Sequence, residues 1–495
     1  MTTSRRSFMA GAAALPFTLW YQQYGVPKTT LTRYDVLSPK GQAMLKVYAN
    51  AVKTMMASAD QGNPHSWTFQ WYTHWVRGDR DKPSEISRLY PTAGPMKDLA
   101  QETWSTCQSH DSSMPEDYFL PWHRMYVSYL ERIVRQVSGV PTFTLPYWNY
   151  SAEAQAVHGA LPMQFRQQND PVFGSLFVSK RNSSANAGQP IDQNAPGALN
   201  LDALKETSYS ISGPLMGFCQ ALDFGLHGNV HVLVGNGQNM GSVPWAAGDP
   251  IFWLHHCNID RLWASWNRAG NQNNASTPDF KAKQFIFADE KCSRVVATVE
   301  DVLDIGSLGY TYDRFEPVPR PARFVPAAIA GGVSAQGQLA ITPTGPTALG
   351  ARPVSVRLQP PTGVPGLADR VRALPPERRL YLTLRNLRAE AQPGVVYMLY
   401  LELPSGLNTR QATPYQAGVI NFFEAVPHDS HGGHNAGAAG GPMATRFYSF
   451  DVTTLVKNLR DKRLLSNEPT LTIAPVGSPA SEAKPVIGEI SLVEM

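Results

Sequence analysis

The chain has 495 residues, with 43 lysines and arginines against 39 aspartates and glutamates, a formal balance of +4. So slight an excess, with no Lys/Arg-rich run, argues against a nucleic-acid partner. No apolar run reaches the ~18 residues of a membrane-crossing helix, and at about 150 residues per domain the length suits two or three domains.

The N-terminus reads "TTSRRSFMAGAAALPFTLW". Paired Arg5 and Arg6, then Phe8 and a short apolar segment, predict a twin-arginine export signal within residues 1–30 and a periplasmic or secreted protein. "SPKGQAMLKVYANAVKTMMA" predicts a helix opened by Ser38 and Pro39, with apolar residues three and four apart. "WHRMYVSYLERIVRQVSG" predicts a second amphipathic helix, ended by Gly139. "LPYWNYS" reads as a loop, and residues 151–210, rich in Asn, Gln, Gly, Ser and Pro, read as long irregular connections. Two further helices are expected across "ALDFGLHGNVHVLVG" and "PIFWLHHCNIDRLWASWNRAG". After "LGYTYDRFE" a Pro-, Gly- and Ala-rich stretch, 314–354, reads as a linker. Alternating segments follow, among them "RRLYLTLRNLRA", "VVYMLYLELP" and "RFYSFDVT", with turn residues between. The expected fold is a mainly α domain over 31–313, a four-helix bundle with long loops, then an antiparallel β-sandwich over 355–495.

The four cysteines, Cys107, Cys219, Cys257 and Cys292, match no zinc pair and no C-x-x-C, and leave room for one or two bridges in an oxidising compartment. The twelve histidines carry more. His227 and His231 in "LHGNVH" are four apart and share a helix face. No Glu follows the first, so the base of an H-E-x-x-H metalloprotease is missing. His123 follows "FLPW" at a helix start, and His255 and His256 sit in the aromatic run "DPIFWLHHCNIDRLW". Buried imidazoles on facing helices of one bundle point to a metal, and all-imidazole donor sets suit copper, zinc or iron.

"FLPWHRMYVSYLE" and "DPIFWLHHCNID" resemble the two signatures of the tyrosinase, catechol oxidase and molluscan hemocyanin family of binuclear copper proteins. The second signature, D-P-x-F-aromatic-x-x-H-x-x-x-D, is met from Asp249 to Asp260. "NPHSWTFQWYTHW" and "LGYTYD" resemble two further family segments. The resemblance spans residues 40–313; "GVINFF" and "FYSFDVT" more loosely resemble the C-terminal domain of plant-type polyphenol oxidases. It implies two copper ions per chain, the first on His74, His110 and His123, the second on His227, His231 and His256. Eight residues separate His110 from Phe119, a longer segment than the family pattern. His65 and His158 fall outside the pattern and read as ordinary polar residues.

His255 is rotated by about 100° from His256 on a helix, so it reads as a pocket-wall residue beside the ligands. Asp223, four residues before His227, stands where relatives hold a water with an acid, while Gly228 lacks the amide that often accompanies it. Cys107 either forms the thioether that some relatives make with a histidine or stays a free buried thiol, and Cys257 reads as core packing. Arg124, Glu131, Asp260 and Arg261 read as ion partners of the ligand helices. His428, His431 and His434, in a Gly-rich loop, suggest either a flexible surface loop or an aid to copper loading, with a copper chaperone as a further partner. The implied activity is oxidation of o-diphenols to o-quinones with dioxygen, with hydroxylation of monophenols beside it. The alternatives are a hemocyanin-like dioxygen carrier and an o-aminophenol oxidase.

Overall fold

The computed structural model describes residues 30–108, 118–211, 213–271, 278–319, 345–360, 362–423, 425–426 and 446–495. The twin-arginine segment, His110, most of the linker and the loop histidines His428, His431 and His434 lie outside the described residues.

Helix α1 (Pro39–Met56) starts on its cap: Ser38 Oγ accepts the Gly41 N–H at 3.0 Å, and proline takes a position where no N–H is needed. Ser66 caps α2 (Trp67–His74) in the same way, accepting from Phe69 N. α3 (Phe119–Ser138) stops at Gly139, whose φ of 68° is left-handed. An added Cβ there would meet nothing within 4 Å. Gly139→Ala is therefore expected to cost only backbone strain, about 1 kcal/mol in urea unfolding; an unchanged midpoint would mean the helix is ended by something else.

The single helix expected across "ALDFGLHGNVHVLVG" is two pieces. Ala221–His227 is a π-helical turn in which the Gly228 N–H reaches back five residues to Asp223 O. α4 (Gly228–Val234) continues it with α geometry. So short a run has the same apolar spacing in either geometry, so the sequence does not separate them. α5 (Ile251–Arg268) is buried on all sides over most of its length, including His255, His256, Asn258, Asp260 and Arg261. Residues between α3 and the π turn form irregular connections with short helical turns.

The helical half is closed by strands the sequence did not announce. β1 (Leu31–Arg33) lies near the start, β2 (Gln284–Ala288) and β3 (Arg294–Thr298) form a hairpin, and β4 (Tyr310–Tyr312) pairs in parallel with β1. The C-terminal half holds β5 (Thr347–Ala348), β6 (Val354–Arg357), β7 (Leu380–Arg388), β8 (Tyr397–Leu401), β9 (Gln416–Ile420), β10 (Arg446–Asp451), β11 (Thr470–Pro475) and β12 (Val486–Glu494). They make two antiparallel four-stranded sheets, β10-β7-β12-β5 and β6-β11-β8-β9. One apolar core joins both, with Leu382, Leu384 and Ile490 from the first and Leu399, Leu401 and Ile473 from the second. β5 lies inside the stretch read as linker and pairs with β12. None of the four cysteines forms a disulfide.

Candidate metal centre

Two clusters of ligand-type side chains meet among α2, α3, the π turn, α4 and α5. In one, ligand atoms of His74, Cys107 and His123 lie within 4.8 Å of one another; in the other, those of His227, His231, His255 and His256 do. All seven residues are buried. His123 and His256 join the clusters, their rings stacked 4.2 Å apart at 10°. Phe252 and Phe119 wall the site, with Phe252 4.1 Å from the His256 ring and Phe119 4.6 Å from that of His227.

Backbone carbonyls fix three of the rings. His123 Nδ1 is 2.9 Å from Phe119 O, His227 Nδ1 is 3.1 Å from Asp223 O, and His231 Nδ1 is 2.7 Å from Met240 O. A carbonyl only accepts, so each Nδ1 carries the proton and each Nε2 keeps its lone pair. His231 Nε2 and both ring nitrogens of His255 and His256 are buried and make no hydrogen bond among the described residues. Unsatisfied buried imidazole nitrogens are costly. Several of them converging, with neutral rings oriented from behind, fit a copper, zinc or iron ion.

The electrostatics favour neutral imidazoles. Burial, reinforced by the neighbouring rings, holds His74, His123, His231, His255 and His256 well below the usual histidine range. Burial also pushes His227 down to about 3. Asp223 Oδ1 lies 2.9 Å from His227 Nδ1. Burial drives that carboxyl upward, against the opposing pull of Arg446. Burial thus favours the uncharged form of both partners in this contact.

The β domain also reaches the site; the family resemblance raises a C-terminal domain that covers it and holds the enzyme latent, but does not say through which residues. Phe423 is stacked on the His231 ring, 4.2 Å away at 15°, and meets His227 edge-on at 5.9 Å. The Arg446 guanidinium lies 4.3 Å over the Phe224 ring. The only available signal was "GVINFF", whose apolar run reads equally well as a strand end.

His74, His123, His227, His231 and His256 are therefore brought together, while His110 lies outside the described residues. His255 lies closer than helical rotation alone suggests, face to face with His227 at 5.3 Å and 7°. Asp223 packs against His227. Cys107 Sγ is 3.6 Å from His123 Nε2. Cys257 donates to Leu145 O deep in the core. His65 and His158 stand apart, His65 against Glu290 O and His158 against Asp192. Behind the histidines, Asp260 accepts from Arg33, Arg124, Tyr310 and Tyr312, and Arg33 also holds Glu131 through two bonds. Arg261 pairs instead with Glu316 and Asn258.

Comparison with known proteins agrees with this geometry. The common central domain of tyrosinase matches residues 64–180 and 167–269, and the polyphenol oxidase middle domain matches 274–323. A domain of unknown function matches 347–495. A tyrosinase of Hahella sp. (strain CCB-MM4) is 33% identical over 337 residues, covering 61% of this chain and 68% of that protein. A chloroplastic polyphenol oxidase of Vicia faba is 32% identical, but the match spans 41% of this chain and only 38% of its own length. The solved structure of latent apple tyrosinase shares the fold at a TM-score of 0.59 and 21% identity, over 94% of this chain and 98% of that one. Dense buried histidines, two matched domains and a relative of this identity agree that the chain belongs to the tyrosinase, catechol oxidase and polyphenol oxidase family of copper-dependent, phenol-oxidising oxidoreductases.

Proposed function

We propose that the protein is an exported phenol oxidase that holds two copper ions per chain, the first through His74, His110 and His123 and the second through His227, His231 and His256. The observation that carries this reading is the His123–His256 stack, which joins two buried histidine clusters. A bound copper pair supplies two-electron redox chemistry between a phenol and dioxygen. Each o-diphenol gives up two electrons and two protons to become an o-quinone, and two turnovers reduce one dioxygen to two waters. The protein's part is to keep the imidazoles neutral, fix their tautomers through backbone carbonyls and exclude water. Hydroxylation of monophenols is the weaker activity in this reading, because Gly228 itself carries no side-chain amide, the Asn421 amide beside it is committed to Phe224 O, Asn229 and Phe423 N, and Asp223 is turned toward the imidazole ring.

The domain reading that goes with it is an export signal over 1–30, a copper-binding four-helix bundle over 31–313, a linker over 314–354 and a β-sandwich over 355–495. No described helix is long and apolar enough to cross a membrane.

Metal analysis with absorption spectroscopy tests the assignment. Two coppers per chain, an intense near-ultraviolet band on adding hydrogen peroxide, and quinone formation from 4-methylcatechol are expected. One zinc and no band would end the reading. The band without turnover would favour a dioxygen carrier.

Phe423 is stacked on the His231 ring, so the β domain covers the site in this reading. Phe423→Ala is expected to raise kcat/KM for a diphenol by roughly two- to tenfold, since an aromatic stack is worth ~0.5–1.5 kcal/mol. Unchanged or lower kcat/KM would remove Phe423 as a barrier.

A further inference from the structure

The β domain does more at the site than present Phe423. Asn421 is wholly buried where the domains meet. Its Nδ2 donates to Phe224 O at 2.7 Å and to Asn229 Oδ1 at 3.0 Å, and its Oδ1 accepts the Phe423 N–H at 3.0 Å. The Tyr448 hydroxyl lies 2.9 Å from the same Phe224 carbonyl and 3.1 Å from Asn421 O. Asn229 in turn donates to Ala198 O at 3.0 Å. A buried amide with both donors and its acceptor engaged specifies one arrangement of its neighbours.

Those neighbours are the elements that carry His227. Phe224 lies inside the π turn Ala221–His227, and Asn229 lies in the first turn of α4. A π turn is rare, occurs mostly as a single turn within an α-helix and is frequent at functional sites. Here two side chains from the β domain hold it by one carbonyl. Gly228 fits the same arrangement: a Cβ there would lie 2.7 Å from Asn421 Oδ1 and 2.8 Å from Nδ2. The residue after His227 thus leaves its space to the amide of the other domain.

We propose that Asn421 and Tyr448 are positioning residues for His227, acting through Phe224 O and the π turn, so that the β domain, while it is in place, supports the second half of the metal centre as well as covering it. The proposal rests on the reading that His227 binds copper. It separates two things that removal of the β domain would mix: loss of Phe423 opens the site, and loss of Asn421 and Tyr448 loosens a ligand.

The test uses the full-length, copper-loaded chain. Wild type, Asn421→Ala and Tyr448→Phe are challenged with a chelator, and copper per chain is followed together with the Cu(II) electron paramagnetic resonance signal. Asn421→Ala is expected to release copper about tenfold faster or more, the usual weight of groups that orient a metal ligand, and Tyr448→Phe to release it faster by a smaller factor. Because only one half-site is loosened, loss should pass through protein that keeps one ion, which gains the signal that a coupled pair lacks. Folded variants that release copper at the wild-type rate, or release both ions together, overturn the proposal. Hydrogen exchange on the metal-free chain reads the same clasp without copper. Amides of residues 226–230 should exchange faster in Tyr448→Phe, with those of the β2–β3 hairpin, which does not pair with β10, as an unaffected reference. Unchanged protection there also overturns it. Wild-type protein that takes up no copper would instead remove the metal reading beneath it, and the exchange experiment would still decide the clasp.

Discussion

His256→Ala is expected to abolish phenol oxidation and strip copper from the second half-site, whereas His255→Ala is expected to keep both ions at an affinity lowered about 10–100-fold. The two residues are adjacent, equally buried and both within the second cluster, so burial and proximity do not distinguish them. Their places across the site do. His256 alone of the two stacks on His123, at 4.2 Å, and so faces the first cluster. His255 turns the other way, stacked on His227 and packed 5.5 Å from Tyr150. A ligand to one of two neighbouring ions has to face the other ion's ligands; a residue behind His227 supports that ring. Elemental analysis with quinone formation reads both variants. Loss of copper in His255→Ala together with retention in His256→Ala would reverse the assignment.

Much of this centre was legible in the sequence because its parts are local. A helix position follows from capping and periodicity: Ser38 with Pro39 marked α1, and Gly139 marked the end of α3. Histidines four apart, or set after a matched motif, carry their spacing with them, so His227 and His231 were readable as a pair. The rest depends on contacts between residues far apart in the chain. β1 and β4 pair across 279 positions of sequence, as the Arg33–Tyr312 hydrogen bond records, and three-residue strands carry too few alternations to be seen. The π turn is invisible because it shares its apolar spacing with an α-helix. Asn421 and Phe423 lie more than a hundred residues beyond α5, in a segment whose pattern is that of any buried strand end. Gly228 was noticed as a missing amide; that another domain's amide fills its space is information only the packing contains.

Asp260→Ala is expected to cost about 3–5 kcal/mol of stability, because it strands buried cations. Arg33 and Arg124 both reach the Asp260 carboxylate, and all three side chains are nearly or wholly inaccessible. Arg33 keeps Glu131 when Asp260 is lost. Among the described residues, Arg124 then keeps the Val302 and Leu303 carbonyls and its stack on Trp263, which do not neutralise it. The cost also reaches the metal centre. Asp260 stands one turn beyond His256 on α5, and Arg124 follows His123 on α3, so this pair ties together the two helices whose histidines stack. A fall in melting temperature of roughly 5–15 °C is expected, with less copper per chain. The pH dependence has a definite sign. Burial pushes the Asp260 carboxyl up, but Arg124, Arg33 and the Tyr310 and Tyr312 hydroxyls outweigh it, and the net shift is below the ordinary aspartate value. A folded-state value below the unfolded one, about 3.9, makes this contribution complete above about pH 4 and lost as pH falls through the folded value. Between neutrality and pH 5 the gap between wild type and Asp260→Ala should therefore stay constant, and it should narrow only in stronger acid. Thermal melts of both proteins across that range are the measurement; a gap already closing at pH 6, or a variant as stable as wild type, would mean that Asp260 does not hold the two arginines together.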